Sequence, residues 1–307
     1  MKHRRQVIPR AAAVAAAAAL AAVVACAGPD KPAAATRPTE IRYGKPVRIA
    51  RLANRSIDES SGVAVGRVNP GVFWTHNDSG DSPTLYAFNR KGEHLATVHV
   101  AGAAARDWED ICSFKLGGKG VLLIGDFGDN ARARARCTLY AVHEPKLPAK
   151  RPDRALSATV VQRVHFRYAD GAANCESVAF DPTSRTVVIV TKSTRPAGVY
   201  LLPWPKRPAD EPVVLQCAAR LDLPETTAMD ISPDGRRAVV LTYGDAYEYA
   251  RGAKQTWADA FKRKPRKLKM PRRGQGESIC YGPAGRSLYL TSEGAPMPLW
   301  EVPAASP

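Results

Sequence analysis

Five segments of this 307-residue chain repeat one short pattern, and that repeat constrains the fold more than any other feature. They are ESSGVAV from residue 59, WEDICSF from 108, CESVAFDP from 175, AMDISPDG from 228 and GESICYG from 276. Each puts an acid ahead of small and apolar residues, then a turn, then a more hydrophobic stretch. The acids Glu59, Glu109, Glu176, Asp230 and Glu277 fall at intervals of 50, 67, 54 and 47 residues. Such a period suits a unit of four antiparallel strands set radially, the blade of a β-propeller. Between the segments, runs such as GVFWTH, TLYAFN, HLATVHV, VLLIGD and CTLYAV alternate in polarity and are bounded by Gly, Pro, Asp and Asn. Period-two alternation between turn residues reads as strand. The one helix expected is a short turn in TWADAFKR, residues 256–263.

Strands can be counted within single repeats. The third supplies SVAFD, TVVIVTK, GVYLLPW and VVLQCAARL, whereas the last supplies only GESICYG, SLYLTSE and PLWEV. The strand PVRIARL, residues 46–52, would complete the last repeat, close the ring and remove an open sheet edge. The expected fold is an all-β propeller closed by an N-terminal strand. Five blades are favoured, and the 67-residue interval leaves six open.

The N-terminus reads as an export leader. MKHRRQVIPR is basic, and the fifteen-residue apolar run AAAVAAAAALAAVVA that follows is too short to span a bilayer comfortably. Its end, Val23-Val24-Ala25-Cys26, resembles a bacterial lipobox, in which the cysteine is lipidated and becomes the mature N-terminus. Residues 1–25 are thus expected as a lipoprotein signal peptide, 26–44 as the lipidated cysteine with a Pro/Ala-rich tether, and 45–307 as the folded domain. An extracytoplasmic monomer, lipid-anchored to the bacterial cell membrane, is the expected state. Losing Lys2, Arg4, Arg5 and Arg10 with the leader takes the formal charge from +16 to +12. That balance favours anionic headgroups or cell-envelope polymers as partners. An exported chain with no nucleic-acid motif is a poor candidate for binding nucleic acid. Cys112, Cys137, Cys175, Cys217 and Cys280 could pair in part outside the cytoplasm, and no Cys/His spacing suggests zinc.

In a propeller, the start of each innermost strand and the end of each second strand meet at one mouth of the central channel. The second strands end in HNDSGD at 76–81, GDFGDN at 125–130, TK at 191, TYGD at 242 and TSEG at 291. Acids at both kinds of end would therefore converge, and converging carboxylates need a cation, a basic side chain or raised pKa values. Ca²⁺ takes several oxygen ligands. The candidate ligands are Glu59, Asp78, Glu109, Asp126, Asn130, Glu176, Asp230 and Glu277. His76, Asn77, Lys192, Tyr243 and Glu293 are candidates to hold a polar ligand beside the ion, and Lys192 alone could also neutralise part of the ring. Turn chemistry competes at Asp81, Asp129, Asp78 and Asp126. His76 reads as a solvent-facing turn residue or a general base. Trp74 and Trp108 read as packing between blades, and Cys112 and Cys280 as small residues near the narrow channel. The basic run KRKPRKLKMPRR, residues 262–273, reads as an exposed outer strand or loop suited to an anionic surface.

The motifs ESSG, HNDSGD, DWED and GDFGDN, with the Glu-Ser repeats, resemble those of secreted bacterial propellers distantly similar to gluconolactonase-type and phytase-like esterase propellers. The resemblance runs from about residue 45 to the C-terminus. It implies a Ca²⁺ ion in the channel mouth that polarises an ester carbonyl, a role that would map onto Glu59, Asn130 and Asp230. AMD at 228 departs from the Glu-Ser pattern. Two functions follow: a tethered propeller binding a cation and a polar ligand, or a Ca²⁺-dependent hydrolase of lactones, phosphate esters or sugar derivatives.

Overall fold

A computed structural model describes residues 40–148, 155–194 and 196–305. Cys26 and the leader lie outside the described residues. Those described form an all-β fold with one short helix.

The chain enters through β1 (Val47–Arg51) and then builds successive four-strand units. The first unit holds β2 (Ser60–Val65), β3 (Val72–Asn77), β4 (Thr84–Asn89) and β5 (His94–Ala101). The second holds β6 (Trp108–Leu116), β7 (Lys119–Asp126), β8 (Cys137–His143) and β9 (Leu156–Tyr168). The third holds β10 (Cys175–Asp181), β11 (Thr186–Thr191) and β12 (Ala197–Pro203), followed by β13 (Ala209–Leu215) and β14 (Cys217–Leu221). The fourth holds β15 (Thr226–Ile231), β16 (Arg237–Thr242), β17 (Ala246–Ala250), helix α1 (Trp257–Phe261) and β18 (Arg266–Leu268). The last holds β19 (Ser278–Tyr281), β20 (Leu288–Thr291) and β21 (Pro298–Val302). Its fourth strand is β1, antiparallel to β21 with Val47 opposite Glu301 and Arg51 opposite Pro298.

First strands are buried on both faces, which is why their sequences are runs of small and apolar residues rather than alternations. They contact one another in order, β2 with β6, β6 with β10, β10 with β15 and β15 with β19, and β19 meets β2. Five hydrophobic clusters fill the spaces between neighbouring units, the fifth joining the last unit to the first. Trp74 and Trp108 share the cluster between the first and second units, each fully enclosed. At about 1.5–3 kcal/mol per large buried side chain, these clusters dominate the stabilisation.

Two details depart from the strand count. VVLQCAARL is two strands, not one: β14 completes the third unit, while β13 leaves it and pairs parallel with β9. The long interval between the second and third acids contains β9, thirteen residues long, which also pairs parallel with β5 and so merges the first two units and β13 into one sheet. Helix α1 falls within the expected stretch, its start fixed by a capping box between Thr256 and Asp259. The five cysteines of the domain are free thiols, and all but the half-buried Cys217 are buried.

Candidate functional site

Four of the five first strands begin irregularly, β19 being the regular one. The pairing register slips at Ser61 in β2, Glu109 in β6, Glu176 in β10 and Thr227 in β15. A bulge of this kind re-aims one side chain out of the ladder. In the first and fourth units that side chain is a hydroxyl that ties neighbours together: Ser61 Oγ donates to Glu109 O at 2.8 Å, and Thr227 Oγ1 to Gly276 O at 2.7 Å. In the second and third it is a glutamate, and Glu277 occupies the entrance to β19.

Glu109, Glu176 and Glu277 are almost completely buried, and one oxygen from each lies within 4.8 Å of the others. Two further triads of the same tightness, Asp78 with Asp107 and Glu109, and Asp78 with Glu277 and Glu293, extend the cluster to six carboxylates. Asp78, Asp107 and Glu293 are half-buried and form its outer side. Lys192 answers them from the end of β11, its Nζ donating to Glu176 Oε1 and to Tyr243 Oη, both at 2.6 Å. The second oxygen of Glu176, Oε2, is buried with no partner among the described residues.

The electrostatics reflect crowding. Burial, then the repulsion of neighbouring acids, pushes Glu109 well above the ordinary carboxylate range and Asp107 up to about 6. Burial raises Glu176 too, although Lys192 works against it. Glu293 is pushed up to about 7 by burial and by Glu277 and Asp78. Burial also raises Asp78 and Glu277. A divalent ion bonded by these oxygens would relieve all of these costs together. Gly128 is needed for the approach: a β-carbon there would lie 2.2 Å from Glu109 Oε1 and 2.5 Å from Asp107 Oδ2.

Of the residues expected here from the sequence, Asp78, Glu109, Glu176, Lys192, Tyr243, Glu277 and Glu293 come together. The others stand elsewhere. Asp230 sits deeper, two residues past Ala228, where the ladder regains its register. There Asp230 Oδ1 accepts from its neighbour Ile231 N and Oδ2 from Tyr281 N on the adjacent first strand, both at 2.8 Å. Asp110 does the same between its own strand and two neighbours, accepting from Ile111, Val178 and Met229 N–H groups. Glu59 is exposed and outside the three triads. Asp126 is committed to Arg134 Nη2 at 2.9 Å, and Asn130 Oδ1 accepts from Asn174.

His76 is enclosed on β3 rather than facing solvent, its Nδ1 on Asn77 O at 2.8 Å and its ring edge-on to Trp108. Burial lowers its pKa to about 4, keeping the enclosed ring neutral. Asn77 Nδ2 donates to Ser56 O and Asp81 Oδ2, fixing the turn that carries Asp78. Asp107 belongs to the cluster and was not singled out by the repeat. Its signal was the first acid of DWED, one residue before β6.

No family model matches this chain, and no curated protein does. Among solved structures, a crystal structure of a putative 6-phosphogluconolactonase from Bacteroides uniformis is similar at 15% identity, covering 83% of this chain and 70% of that one. Its TM-score of 0.38 is too low to carry function across.

Proposed function

We propose that the chain is a five-bladed β-propeller whose acidic mouth binds a divalent cation, Ca²⁺ by the all-oxygen donor set, and presents it with Lys192 and Tyr243 to a polar ligand. One observation carries this reading: three nearly fully buried glutamates from three units share one point, with Glu176 Oε2 unpartnered. Three carboxylates and one ammonium in so small a volume leave uncompensated charge, which is costly to bury. The half-buried outer side formed by Asp78, Asp107 and Glu293 supports a second reading, hydrolysis of a lactone or phosphate ester, because it leaves one flank of the ion open to substrate. The mature protein is held on the outer surface of the membrane by lipid at Cys26.

Calorimetric titration of the full chain with CaCl₂ tests the cation. Saturable one-to-one heat is expected, and Ca²⁺ at a hundred times its Kd adds about 2.7 kcal/mol of stability, seen as a higher Tm than in chelator. Glu176→Gln weakens both effects. Absent heat and identical melts would overturn the reading, leaving the Lys192 ammonium as the cluster's counter-charge.

A further inference from the structure

The first strands that start at the acidic cluster end at a cavity of about 420 Å³, within the range of small-molecule pockets. All five units line it, and three of them do so with the same device. The third, fourth and last units leave their first strand through Asp181-Pro182, Ser232-Pro233 and Gly282-Pro283. In the latter two, Gly235 N donates to Ser232 O and Gly285 N to Gly282 O, each at 2.8 Å. These are β-turns with proline at the second position, where its fixed φ is already correct. Both glycines have φ of 66°, conformations that favour glycine. The repeated turn sets three rigid proline rings around the cavity, and Pro70 adds a fourth from the hairpin of the first unit.

Below this rim the surface is apolar. Phe114 and Phe180 stack at 3.6 Å between ring centroids, with the Trp204 ring edge-on to both. The charged residues lining the cavity are both cations, Arg67 and the exposed Lys115. Arg67 is locked in place: its Nε and Nη2 donate to Ser113 O at 3.1 and 2.9 Å. Asp230, whose carboxylate the Arg67 charge favours, already accepts two backbone N–H groups.

We infer that this cavity binds a small molecule with a flat apolar body and a single anionic group, a carboxylate or sulfonate. Prolines and aromatic edges contact the body, while Arg67 and Lys115 face the anion. The site is independent of the cation cluster, at the opposite end of the same strands.

Two fluorescent probes test it on the full chain in chelator: 8-anilinonaphthalene-1-sulfonate, and N-phenyl-1-naphthylamine, which lacks the sulfonate. The sulfonate should bind saturably at one per chain. Pro283→Trp, which fills the mouth from an exposed rim position, should abolish binding while the variant stays folded, its Tm lowered by no more than a few degrees as the turn loses its proline. Lys115→Glu should weaken the sulfonate about two- to five-fold and spare the neutral probe. Absence of saturable binding, or unchanged binding in a folded Pro283→Trp variant, would overturn the site. Equal loss for both probes on Lys115→Glu would overturn its anion recognition. Neither outcome depends on whether Ca²⁺ binds.

Discussion

Two of the six carboxylates in the acidic cluster owe their place to one backbone irregularity. Glu109 and Glu176 occupy the bulges where the first and fourth units place Ser61 and Thr227. The pH dependence follows from their surroundings. A carboxyl whose folded pKa is raised contributes stability that is complete below its unfolded pKa, about 4, and is lost as pH rises through the folded value. For Asp107 and Glu293 that loss runs through about 6 and about 7. His76 acts in the opposite sense: the stability of its buried neutral ring is lost as pH falls from about 6.5, its unfolded value, towards about 4. The two are separated by comparing melts with and without Ca²⁺. The increase in Tm given by Ca²⁺ is expected to grow steadily from about pH 5 to about pH 8, because protons and the ion compete for the same oxygens. A pH-independent increase would place Ca²⁺ elsewhere.

At the scale of elements, the hairpin carrying Arg67 and Pro70 is held by a carboxylate from the next unit. Glu144, just past β8, accepts from the backbone N–H groups of Arg67, Val68 and Asn69, from Asn69 Nδ2 at 2.6 Å and from Trp74 Nε1 at 3.2 Å. Glu144→Ala strands five donors, three of them in buried bonds, and is expected to cost about 3 kcal/mol. Thermal unfolding should register this as a fall of roughly 10 °C, and a fall within error would show the clamp to be dispensable. Nothing in VHEPK announces this role, since its partners lie some seventy-five residues back. The strands were legible because alternation is local, and first strands were legible because burial on both faces selects small and apolar residues. Splitting VVLQCAARL was not legible: which sheet a strand joins depends on neighbours distant in sequence. The cluster was half legible. An acid before an apolar run looks the same in one dimension whether it occupies a bulge, as Glu176 does, or lies three residues beyond one and faces a strand edge, as Asp230 does.

For the whole molecule, the formal charge of +16 contrasts with a cluster of six carboxylates. Lys192 reaches into it, whereas Arg266 of β18 stands on the outermost strand of its unit, bonded to Glu40 at 2.8 Å where the described chain begins. Our proposal that Cys26 carries a lipid would keep this basic flank within a short tether of anionic headgroups. Cys26→Ser is expected to move the protein from the membrane fraction to the soluble fraction, and unchanged retention would count against the anchor. The parallel pairing of β9 with both β5 and β13 has a separate consequence. Arrays of like units ordinarily come apart one unit at a time, because each touches only its neighbours through side chains. Here a backbone seam runs across three of them, so cutting the chain between Ala101 and Trp108 would sever the covalent link while leaving the first three units stitched together as one piece.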